Sequence, residues 1–428
     1  MPEPLRYAFK TLGCKVNQTE SDAAEAALRG LGAVPADAAA AEVIVVNTCT
    51  VTGEADRKAR KAVRHALGMP GRPVVVVTGC LAVLDGAGLA ALGQRVVVEA
   101  DKDRLAARVL EATGRSVVAA SRVAAVPIPP SGPSSAARTR VQVKVQDGCD
   151  AFCSYCIVPY ARGVPRSVPL GEVVAHMRGL VAEGVREVVL TGINIGRYDD
   201  GGARLPGLIE AVASTGVARL RLSSVEPGDV DDDLLAVAAA TPAFCAHLHV
   251  PLQSGADRVL RAMGRPYDTA AFAAVVDRAR AALPGVAIST DVIVGFPGET
   301  DEDAAASLAF GASQRFSRLH VFRYSVRPGT TAAGLGGQVP APVKAARAAA
   351  MRDLGGELAA RFEREHAETK AAAELLVERV QPASPGRSRT VEGTTREYLH
   401  LAAASPTAGP GDLLDVRWDG AHGEWRAC

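Results

Sequence analysis

The sequence predicts an α/β protein with an N-terminal open parallel α/β sheet, a central partial (β/α)6 barrel and a small C-terminal β-barrel. Two observations predict the first two parts. Short β-branched runs such as VIVV and VVVV alternate with helical stretches, and a second alternation of strands with helices follows residue 137. The third part is predicted by short strands between Gly, Pro and Asp turns near the chain's end.

The first part, residues 1 to about 115, contains three apolar strands: RYAFKTLGC, EVIVVNTC and PVVVVTGC. Helices are expected from about Ser21 to Leu31 and from about Ala55 to Leu67. Strands that alternate with helices imply a parallel sheet, and continuous apolar runs fit strands buried on both faces. The stretch VPIPPSGPSSAA, residues 126–137, indicates a linker.

The second alternation supplies the central barrel. Its strands lie in VQVKVQDG, REVVLTG, ARLRLSS, CAHLHVPLQ, VAISTDVIVG and RLHVFRYS, and helices are expected at 170–183, 268–282 and 302–313. Six β/α units over roughly 190 residues fit a partial barrel better than a complete eight-fold one. A charged helix over about 342–370 precedes the terminal strands. The predicted domains are therefore 1–117, 135–366 and 369–428.

Composition excludes several classes of protein. The chain has 428 residues, of which 48% are hydrophobic and 22% charged, which is an ordinary globular profile. Its net charge of +1 indicates no polyanion partner for the chain as a whole, so contact with RNA would need local basic patches. No secretion signal or long apolar run is present, which predicts a cytoplasmic protein without a membrane span. Eight cysteines in such a chain favour metal-binding or catalytic roles over disulfides.

Three of those cysteines lie within eight residues, in Cys149-Asp-Ala-Phe-Cys153-Ser-Tyr-Cys156. Three thiolates on one loop can bind three irons of a cubane cluster, which leaves the fourth iron open to a bidentate ligand. A zinc site more often has two separated C-x2-C pairs. The C-x3-C-x2-C spacing, with an aromatic residue before the last cysteine, resembles the radical S-adenosylmethionine superfamily. The resemblance implies a [4Fe–4S] cluster and S-adenosyl-L-methionine as cofactors.

The superfamily resemblance also extends to residues at strand ends. The ends of successive barrel strands resemble, in order, the turn that binds the cofactor's amino group, two polar sites near its ribose and the strand beside its adenine. By this resemblance the predicted cofactor contacts are Tyr155, Thr191, Gly192, Ser223, Glu226, Gln253, Ile293 and Gly295.

Cys14, Cys49 and Cys80 are far apart in sequence, but each follows one apolar strand of the first part. The carboxyl ends of parallel strands meet at one edge of a sheet, so the three thiols are expected to converge there. The alternative is three unrelated buried cysteines. Convergence predicts a second [4Fe–4S] cluster, again with three protein ligands.

With both cysteine triplets placed, the whole chain resembles the methylthiotransferase family of radical S-adenosylmethionine enzymes, with a C-terminal segment similar to a TRAM domain. TLGCKVNQTES at 11–21 and NTCTVT at 47–52 resemble the branch that acts on tRNA threonylcarbamoyladenosine. The resemblance implies transfer of a methylthio group to carbon 2 of that adenosine at tRNA position 37. An external electron donor and an unknown sulfur donor are the other implied partners.

A basic stretch follows Cys49 and is predicted to contact tRNA, although a solvated helix face would look the same. Its residues are Arg57, Lys58, Arg60, Lys61 and Arg64. Further basic residues flank the cysteine loop and would add to this contact: Arg138, Arg140, Lys144, Arg162 and Arg166. The C-terminal stretch VEGTTREYLHL resembles the RNA-holding TRAM module, but from Arg379 onward the six basic residues are balanced by six acidic ones.

Three alternatives remain open at this point. A sister enzyme would act on isopentenyladenosine in tRNA or on a ribosomal protein, and only the residues around Cys14 and Cys49 argue against it. A non-catalytic iron–sulfur electron carrier would not cleave adenosylmethionine. An RNA-binding protein with structural zinc sites would be colourless, whereas iron–sulfur clusters would make it brown.

Overall fold

The computed structural model describes residues 3–115, 139–370, 372–382, 389–420 and 424–428. The predicted linker at 126–137 lies outside these residues. Contacts divide the chain into two compact units, the first formed by 1–132, 143–168 and 325–333, and the second by 133–142, 169–324 and 334–428. The loop with Cys149, Cys153 and Cys156 therefore belongs to the same unit as Cys14, Cys49 and Cys80.

The first unit is built on a five-stranded parallel sheet with the order β2-β1-β3-β4-β5. The strands are β1 Arg6–Thr11, β2 Val34–Pro35, β3 Val43–Thr48, β4 Val74–Gly79 and β5 Val96–Val98. The helices are α1 Lys15–Gly30, α2 Gly53–Leu67, α3 Cys80–Leu84, α4 Gly86–Ala90 and α5 Leu105–Ala112. This sheet confirms the predicted open parallel architecture. Strands β2 and β5 escape prediction because two and three residues are too short to form an apolar run.

Helices cover both faces of this sheet, which explains why its strands are continuously apolar. Val43 and Val45 of β3 point into a core that includes residues of α1 and α5. Ile44 and Val46, one residue along, point into a second core formed with α2, α3 and α4. Adjacent residues of a strand face opposite sides, so all four positions are buried.

The central part contains six strands in two three-stranded sheets, with the orders β12-β9-β6 and β13-β14-β15. Parallel bridges from Leu220 to Phe244 and from Ser224 to His249 continue the curve between them. The predicted partial (β/α)6 barrel is thus confirmed. These six strands are β6 Arg140–Lys144, β9 Glu187–Thr191, β12 Arg219–Leu222, β13 His247–His249, β14 Ala287–Val294 and β15 Arg318–Arg323. Four further strands of two residues each pair antiparallel outside these sheets: β7 Gln146–Asp147 with β8 Arg166–Ser167, and β10 Asp199–Asp200 with β11 Ala203–Arg204.

The described part of this region contains eight α-helices. They are α6 Val158–Arg162, α7 Leu170–Ala182, α8 Leu205–Ala213, α9 Asp232–Ala240, α10 Asp257–Ala262, α11 Thr269–Ala282, α12 Asp301–Ser313 and the long α13 Ala341–Lys370. The four helices with predicted bounds, α7, α11, α12 and α13, lie close to them. Among the helices that the structure describes, none is both long and apolar enough to cross a membrane.

The C-terminal strands close into a five-stranded barrel with the order β16-β17-β18-β20-β19, as predicted. They are β16 Ala372–Gln381, β17 Thr390–Thr395, β18 His400–Ala404, β19 Leu413–Asp419 and β20 Glu424–Ala427. Pairing is antiparallel except between β18 and β20. Residues such as Leu375, Val391, Val416 and Trp425 fill its interior.

The turn between β17 and β18 packs against the central barrel within the second unit. The Tyr398 ring stacks on His247, with centroids 4.7 Å apart, and the Arg221 guanidinium lies 4.8 Å from its centre. The buried Arg221 Nη1 also donates to the Arg396 carbonyl at 2.7 Å, and the buried Arg219 Nη2 donates to the Thr394 carbonyl at 3.0 Å. Part of the stretch that resembles the RNA-holding module is therefore used to attach the C-terminal barrel.

Candidate iron–sulfur and cofactor site

The loop with Cys149, Cys153 and Cys156 runs from β7 to α6, and all three thiols are partly buried. The Cys149 N–H donates to the Gly163 carbonyl at 3.0 Å, which closes the base of the loop. Gly148 makes that closure possible: its φ is +78°, and a Cβ there would lie 2.0 Å from the Val164 carbonyl oxygen. Only glycine fits that position.

The same loop contains features suited to a bound cluster. The Ala151 N–H donates to Cys149 Sγ at 3.5 Å, and hydrogen bonds to sulfur stabilise thiolate ligands and tune cluster potentials. Phe152, between the first two cysteines, has a left-handed φ of +42° and is more than half exposed. Its ring contacts the exposed Tyr160 edge to face, with centroids 5.6 Å apart. Tyr155 is half-buried.

The other cysteine triplet lies at one edge of the N-terminal sheet. Cys49 and Cys80 directly follow β3 and β4, and Cys14 follows β1 after two intervening residues. Strands β1, β3 and β4 are neighbours in the sheet, so the structure brings the three segments together as predicted. Cys49 and Cys80 are buried, whereas Cys14 is exposed.

Two observations place the three thiols in one neighbourhood. A Cβ on Gly13 would lie 2.6 Å from the Cys49 Cβ, so the segment before Cys14 presses directly on Cys49. The pKa of the Cys49 thiol is raised to about 11, chiefly by burial, and the negative charge of Cys80 and Cys14 adds to this rise. Thiolates in such a place need a cation as a partner, which the iron of a cluster would provide.

The donor set of the two triplets suits iron–sulfur clusters. Each protein thiolate of such a cluster binds a different iron. The two triplets supply only thiolates, the ligand type that iron–sulfur clusters favour.

The segment 325–333 reaches both cysteine regions of the first unit. Arg327 Nη2 donates to Thr50 Oγ1 at 2.6 Å, one residue after Cys49. The Ala332 N–H donates to the Ser154 carbonyl at 2.7 Å, one residue after Cys153. The first contact holds the side chain of the residue after Cys49, and the second holds the backbone carbonyl of the residue after Cys153.

In the second unit, the predicted cofactor residues lie at the carboxyl ends of the barrel strands. Thr191 ends β9 and is buried, and Gly192 follows it. Ser223 follows β12, and its buried hydroxyl has no hydrogen-bond partner among the residues that the structure describes. An orphaned buried hydroxyl at such an edge fits a polar ligand such as adenosylmethionine.

The remaining strand-end residues are held in fixed positions. Gln253 has a φ of +69°, and its backbone pairs with Asp291 and Ile293 at 2.8 Å each. Burial raises the pKa of Glu226, although the buried Arg265 donates to its carboxylate and opposes that rise.

Gly295 follows β14, and its N–H donates to both carboxylate oxygens of Glu299, at 3.0 and 2.9 Å. Its amide is therefore occupied by the chain itself, so a contact with adenosylmethionine would have to come from another atom of this residue.

The predicted basic stretch forms most of α2. Arg57, Lys58, Lys61 and Arg64 are exposed, and the first two of them pair with Glu54. Arg60 differs, because it donates to the Asp85 carboxylate and the Gly88 carbonyl. Exposed basic side chains on one helix are available for phosphate contacts.

The flanking basic residues fit the prediction less well. Lys144 and Arg162 are buried in ion pairs, so the expectation that they contact RNA from the surface is wrong. Arg140 pairs with Glu378 at 3.0 Å, Arg166 is exposed, and Arg138 lies outside the described residues.

The partners of the buried Lys144 and Arg162 were not identified from the sequence. Asn17, Glu20 and Asp147 are buried polar residues within hydrogen-bond distance of Arg162. The only available signal was the position of Asn17 and Glu20 just after Cys14, and of Asp147 just before Cys149. Polar residues on a helix look like a solvated face when their partners are more than a hundred residues away.

Comparisons with known proteins agree with this arrangement. Residues 143–311 match the model of the radical SAM superfamily, and residues 6–99 match that of uncharacterized protein family UPF0004. The chain is 37% identical over 370 residues to the threonylcarbamoyladenosine tRNA methylthiotransferase MtaB of Bacillus subtilis, covering 83% of this chain and 81% of that protein.

A second relative is named for a different activity. The tRNA-2-methylthio-N(6)-dimethylallyladenosine synthase of Clavibacter michiganensis is 35% identical over 436 residues, covering 96% of this chain and 81% of that protein. Among solved structures, the radical S-adenosylmethionine methyltransferase TsrM of Kitasatospora setae superimposes with a TM-score of 0.55 at 16% identity, covering 77% of each chain. At that identity the likeness concerns the fold alone.

Proposed function

Because the chain belongs to the radical S-adenosylmethionine methylthiotransferase family, we propose that it transfers a methylthio group to carbon 2 of N6-threonylcarbamoyladenosine at position 37 of tRNA. The observation that carries the proposal is the pair of cysteine triplets in one compact unit, one on a loop and one at a sheet edge. The segments TLGCKVNQTES and NTCTVT favour the threonylcarbamoyladenosine branch over its sisters.

In this proposal each triplet holds one [4Fe–4S] cluster. Cys149, Cys153 and Cys156 hold the cluster that works with adenosylmethionine, and Cys14, Cys49 and Cys80 hold the one that carries the sulfur to be transferred. When bound, the first cluster and the cofactor supply one-electron chemistry that can break an aromatic carbon–hydrogen bond, which side-chain acids and bases cannot do.

The chain's own residues bind and orient the reactants. The Ser223 hydroxyl, buried and without a described partner, is available to a polar group of the cofactor, as is the partly exposed carboxylate of Glu226. Thr191, Gly192, Gln253, Ile293, Gly295 and Tyr155 complete the proposed cofactor contacts. The hydrogen of carbon 2 leaves as an atom, so no general base is needed at that position.

The exposed features of the first unit suit a tRNA substrate. The basic side chains of α2 begin eight residues after Cys49 and can contact phosphates. The exposed Phe152 and Tyr160 offer an aromatic pair on the cysteine loop, and such side chains can stack on unpaired bases.

Nucleoside analysis of tRNA from a deletion strain tests the substrate. Loss of methylthio-threonylcarbamoyladenosine, restored by the wild-type gene, is expected. If that nucleoside persists and the methylthio derivative of isopentenyladenosine disappears instead, the sister reaction on tRNA replaces our proposal. If both persist and a ribosomal protein loses a methylthio group, the ribosomal branch replaces it.

Cysteine variants test the two proposed clusters. Anaerobic wild-type protein should contain about eight irons per chain, as two [4Fe–4S] clusters require. Cys153→Ala should abolish formation of 5′-deoxyadenosine from adenosylmethionine. Cys80→Ala should spare that reaction but stop sulfur transfer, and it should halve the iron content. Cys428→Ser, at an exposed position outside both triplets, is the matched control and should change neither quantity. About four irons in the wild type would contradict the second cluster.

A further inference from the structure

Five buried polar side chains in the first unit have no role in the proposed metal or cofactor contacts. They are Asn17, Glu20, Lys144, Asp147 and Arg162, each less than a tenth exposed, and we call them the clamp. Removing charged groups from water is costly, and ion pairs in the interior often recover no more than that cost. Their presence therefore calls for a reason other than stability.

The clamp residues lie next to the two predicted cluster sites. Asn17 and Glu20 are in the first two turns of α1, which begins one residue after Cys14. Asp147 precedes Cys149 by two residues, and Arg162 ends the helix that follows Cys156. The clamp thus contains residues from both ends of the cysteine loop and from α1, the helix that begins directly after Cys14.

Arg162 is the centre of the clamp. Its Nη1 donates to Glu20 Oε1 at 2.7 Å and to Asp147 Oδ1 at 3.1 Å, and its Nη2 donates to Asn17 Oδ1 at 2.6 Å. Lys144 Nζ bridges the same two carboxylates, at 2.8 Å to Glu20 and 2.7 Å to Asp147. The planar fork of a guanidinium fixes its partners in direction as well as distance, which a single ammonium cannot do.

Asn17 extends these contacts to two of the sheet-edge cysteines. Its Nδ2 donates to the Leu12 and Thr48 carbonyls, both at 2.9 Å, two residues before Cys14 and one before Cys49. The Cys14 Sγ lies 3.7 Å from Asn17 Oδ1. One amide side chain therefore joins the segments of Cys14 and Cys49 to Arg162.

We infer that Arg162 and Asn17 are positioning residues, which fix the Cys14 and Cys49 segments against the loop of Cys149, Cys153 and Cys156. The inference rests on the proposed function, in which sulfur held by one triplet must meet a substrate activated through the other. Misplacement by about 1 Å can cost on the order of a hundredfold in rate. Loss of the clamp is thus expected to let cofactor cleavage continue without productive sulfur transfer.

Hydrogen exchange of the metal-free chain tests the mechanical part of the inference. Arg162→Gln should increase exchange at least fivefold in peptides covering 12–18 as well as 147–163, although the substitution lies in only the second region. Arg95→Gln is the matched control, because the Arg95 guanidinium also donates hydrogen bonds within the first unit, but to the Pro73 and Leu67 carbonyls rather than to clamp residues. Unchanged exchange at 12–18 in Arg162→Gln would overturn the inference.

Reconstituted protein tests the functional part. In Arg162→Lys and Asn17→Asp, 5′-deoxyadenosine formation is expected to stay within about threefold of the wild type, while deoxyadenosine released per methylthio product rises at least tenfold. A merely destabilised enzyme would lose both reactions in proportion, and that result would refute a positioning role. If tRNA proves not to be the substrate, the exchange experiment still decides whether the clamp couples the two segments, because it needs no substrate.

Discussion

Gly148 controls the geometry of the cysteine loop from the position just before its first cysteine. Gly148→Ala should displace Cys149, because the new methyl would lie 2.0 Å from the Val164 carbonyl oxygen at a φ of +78°. The variant is expected to lose the loop's iron, about half of the total, together with 5′-deoxyadenosine formation. Gly184→Ala, just after α7, is a matched control: its φ is +85°, but a Cβ there meets nothing within 4 Å. That change should cost only about 1–2 kcal/mol of backbone strain and leave the iron in place.

His176 makes the stability of the second unit sensitive to acid. It lies on α7, its Nε2 is buried without a partner among the described residues, and burial lowers its pKa from 6.5 to about 4. The unfolded chain binds the proton more readily, so stability is present above pH 6.5 and lost as the pH falls towards 4. From pH 7 to pH 5 the loss should be about 2 kcal/mol.

Urea unfolding at pH 7 and pH 5 measures this contribution. His176→Leu should remove most of the loss that the histidine causes, whereas His65→Leu, at an exposed position of α2, should leave the acid sensitivity unchanged. Equal pH dependence in wild type and His176→Leu would refute the assignment.

The predictability of single residues depended on whether their role has a local signature. Cys149, Cys153 and Cys156 have one in their spacing, and Cys14, Cys49 and Cys80 have one in their place after apolar strands. Arg162 has none: its partners Asn17 and Glu20 are 145 and 142 residues away, so in the sequence it is only a basic residue beside a loop. The clamp residues differ from a nucleic-acid-binding surface because they are buried. The sequence does not reveal whether a charged side chain is buried.

At the scale of elements, apolar periodicity predicted nearly every long strand and helix. It failed where the buried side chains are polar. Helix α1 begins at Lys15, although the apolar pattern suggested a start near Ser21. Asn17, Thr19 and Glu20 are buried in its first turns through hydrogen bonds rather than apolar contacts. An apolar pattern cannot detect a buried face of this kind.

Helix α2 is the element that we propose to contact tRNA. Replacing the exposed Lys61 and Arg64 by glutamate should weaken tRNA binding about tenfold or more near 0.1 M salt, because two phosphate contacts become repulsive. The slope of log affinity against log salt concentration should become less negative by roughly 1–2. Filter binding across a salt series measures both quantities.

The matched control changes the same charge elsewhere. Arg352 and Arg364 are exposed on α13, and their double replacement by glutamate should alter tRNA affinity by less than about twofold. If the two double variants weaken binding equally, general electrostatics rather than α2 would account for the effect.

At the scale of the whole molecule, the compact units divide the chain differently from the predicted domains, which stay a prediction. Residues 143–168 lie within the predicted barrel domain and group with the first unit. The clamp gives a physical reason, since Lys144, Asp147 and Arg162 all pair with Glu20 or Asn17 of α1 or with one another. Boundaries drawn from sequence followed the linker and the strand pattern, and neither reveals pairs of side chains that lie more than a hundred residues apart.

The second unit joins its central and C-terminal barrels through charged and aromatic contacts. Glu187 is fully buried, and Arg219 Nε and Arg221 Nε lie 2.7 and 2.8 Å from its carboxylate oxygens. Both guanidiniums then reach carbonyls of the β17–β18 region, while Tyr398 covers Arg221 and stacks on His247. Guanidiniums held by a buried carboxylate on one side and by carbonyls of the small barrel on the other fix the direction in which that barrel is attached.

Tyr398 should therefore be needed to hold the C-terminal barrel in place. Tyr398→Ala removes the ring between His247 and the Arg221 guanidinium and should destabilise the attachment by about 3 kcal/mol. Limited proteolysis should then release the last roughly 60 residues at least tenfold faster than in the wild type, with the core fragment remaining folded by circular dichroism. Tyr398→Phe keeps the ring and should behave like the wild type, since both contacts use the ring face. Equal release from the alanine and phenylalanine variants would show that the backbone contacts of Arg219 and Arg221 attach the barrel without the aromatic stack.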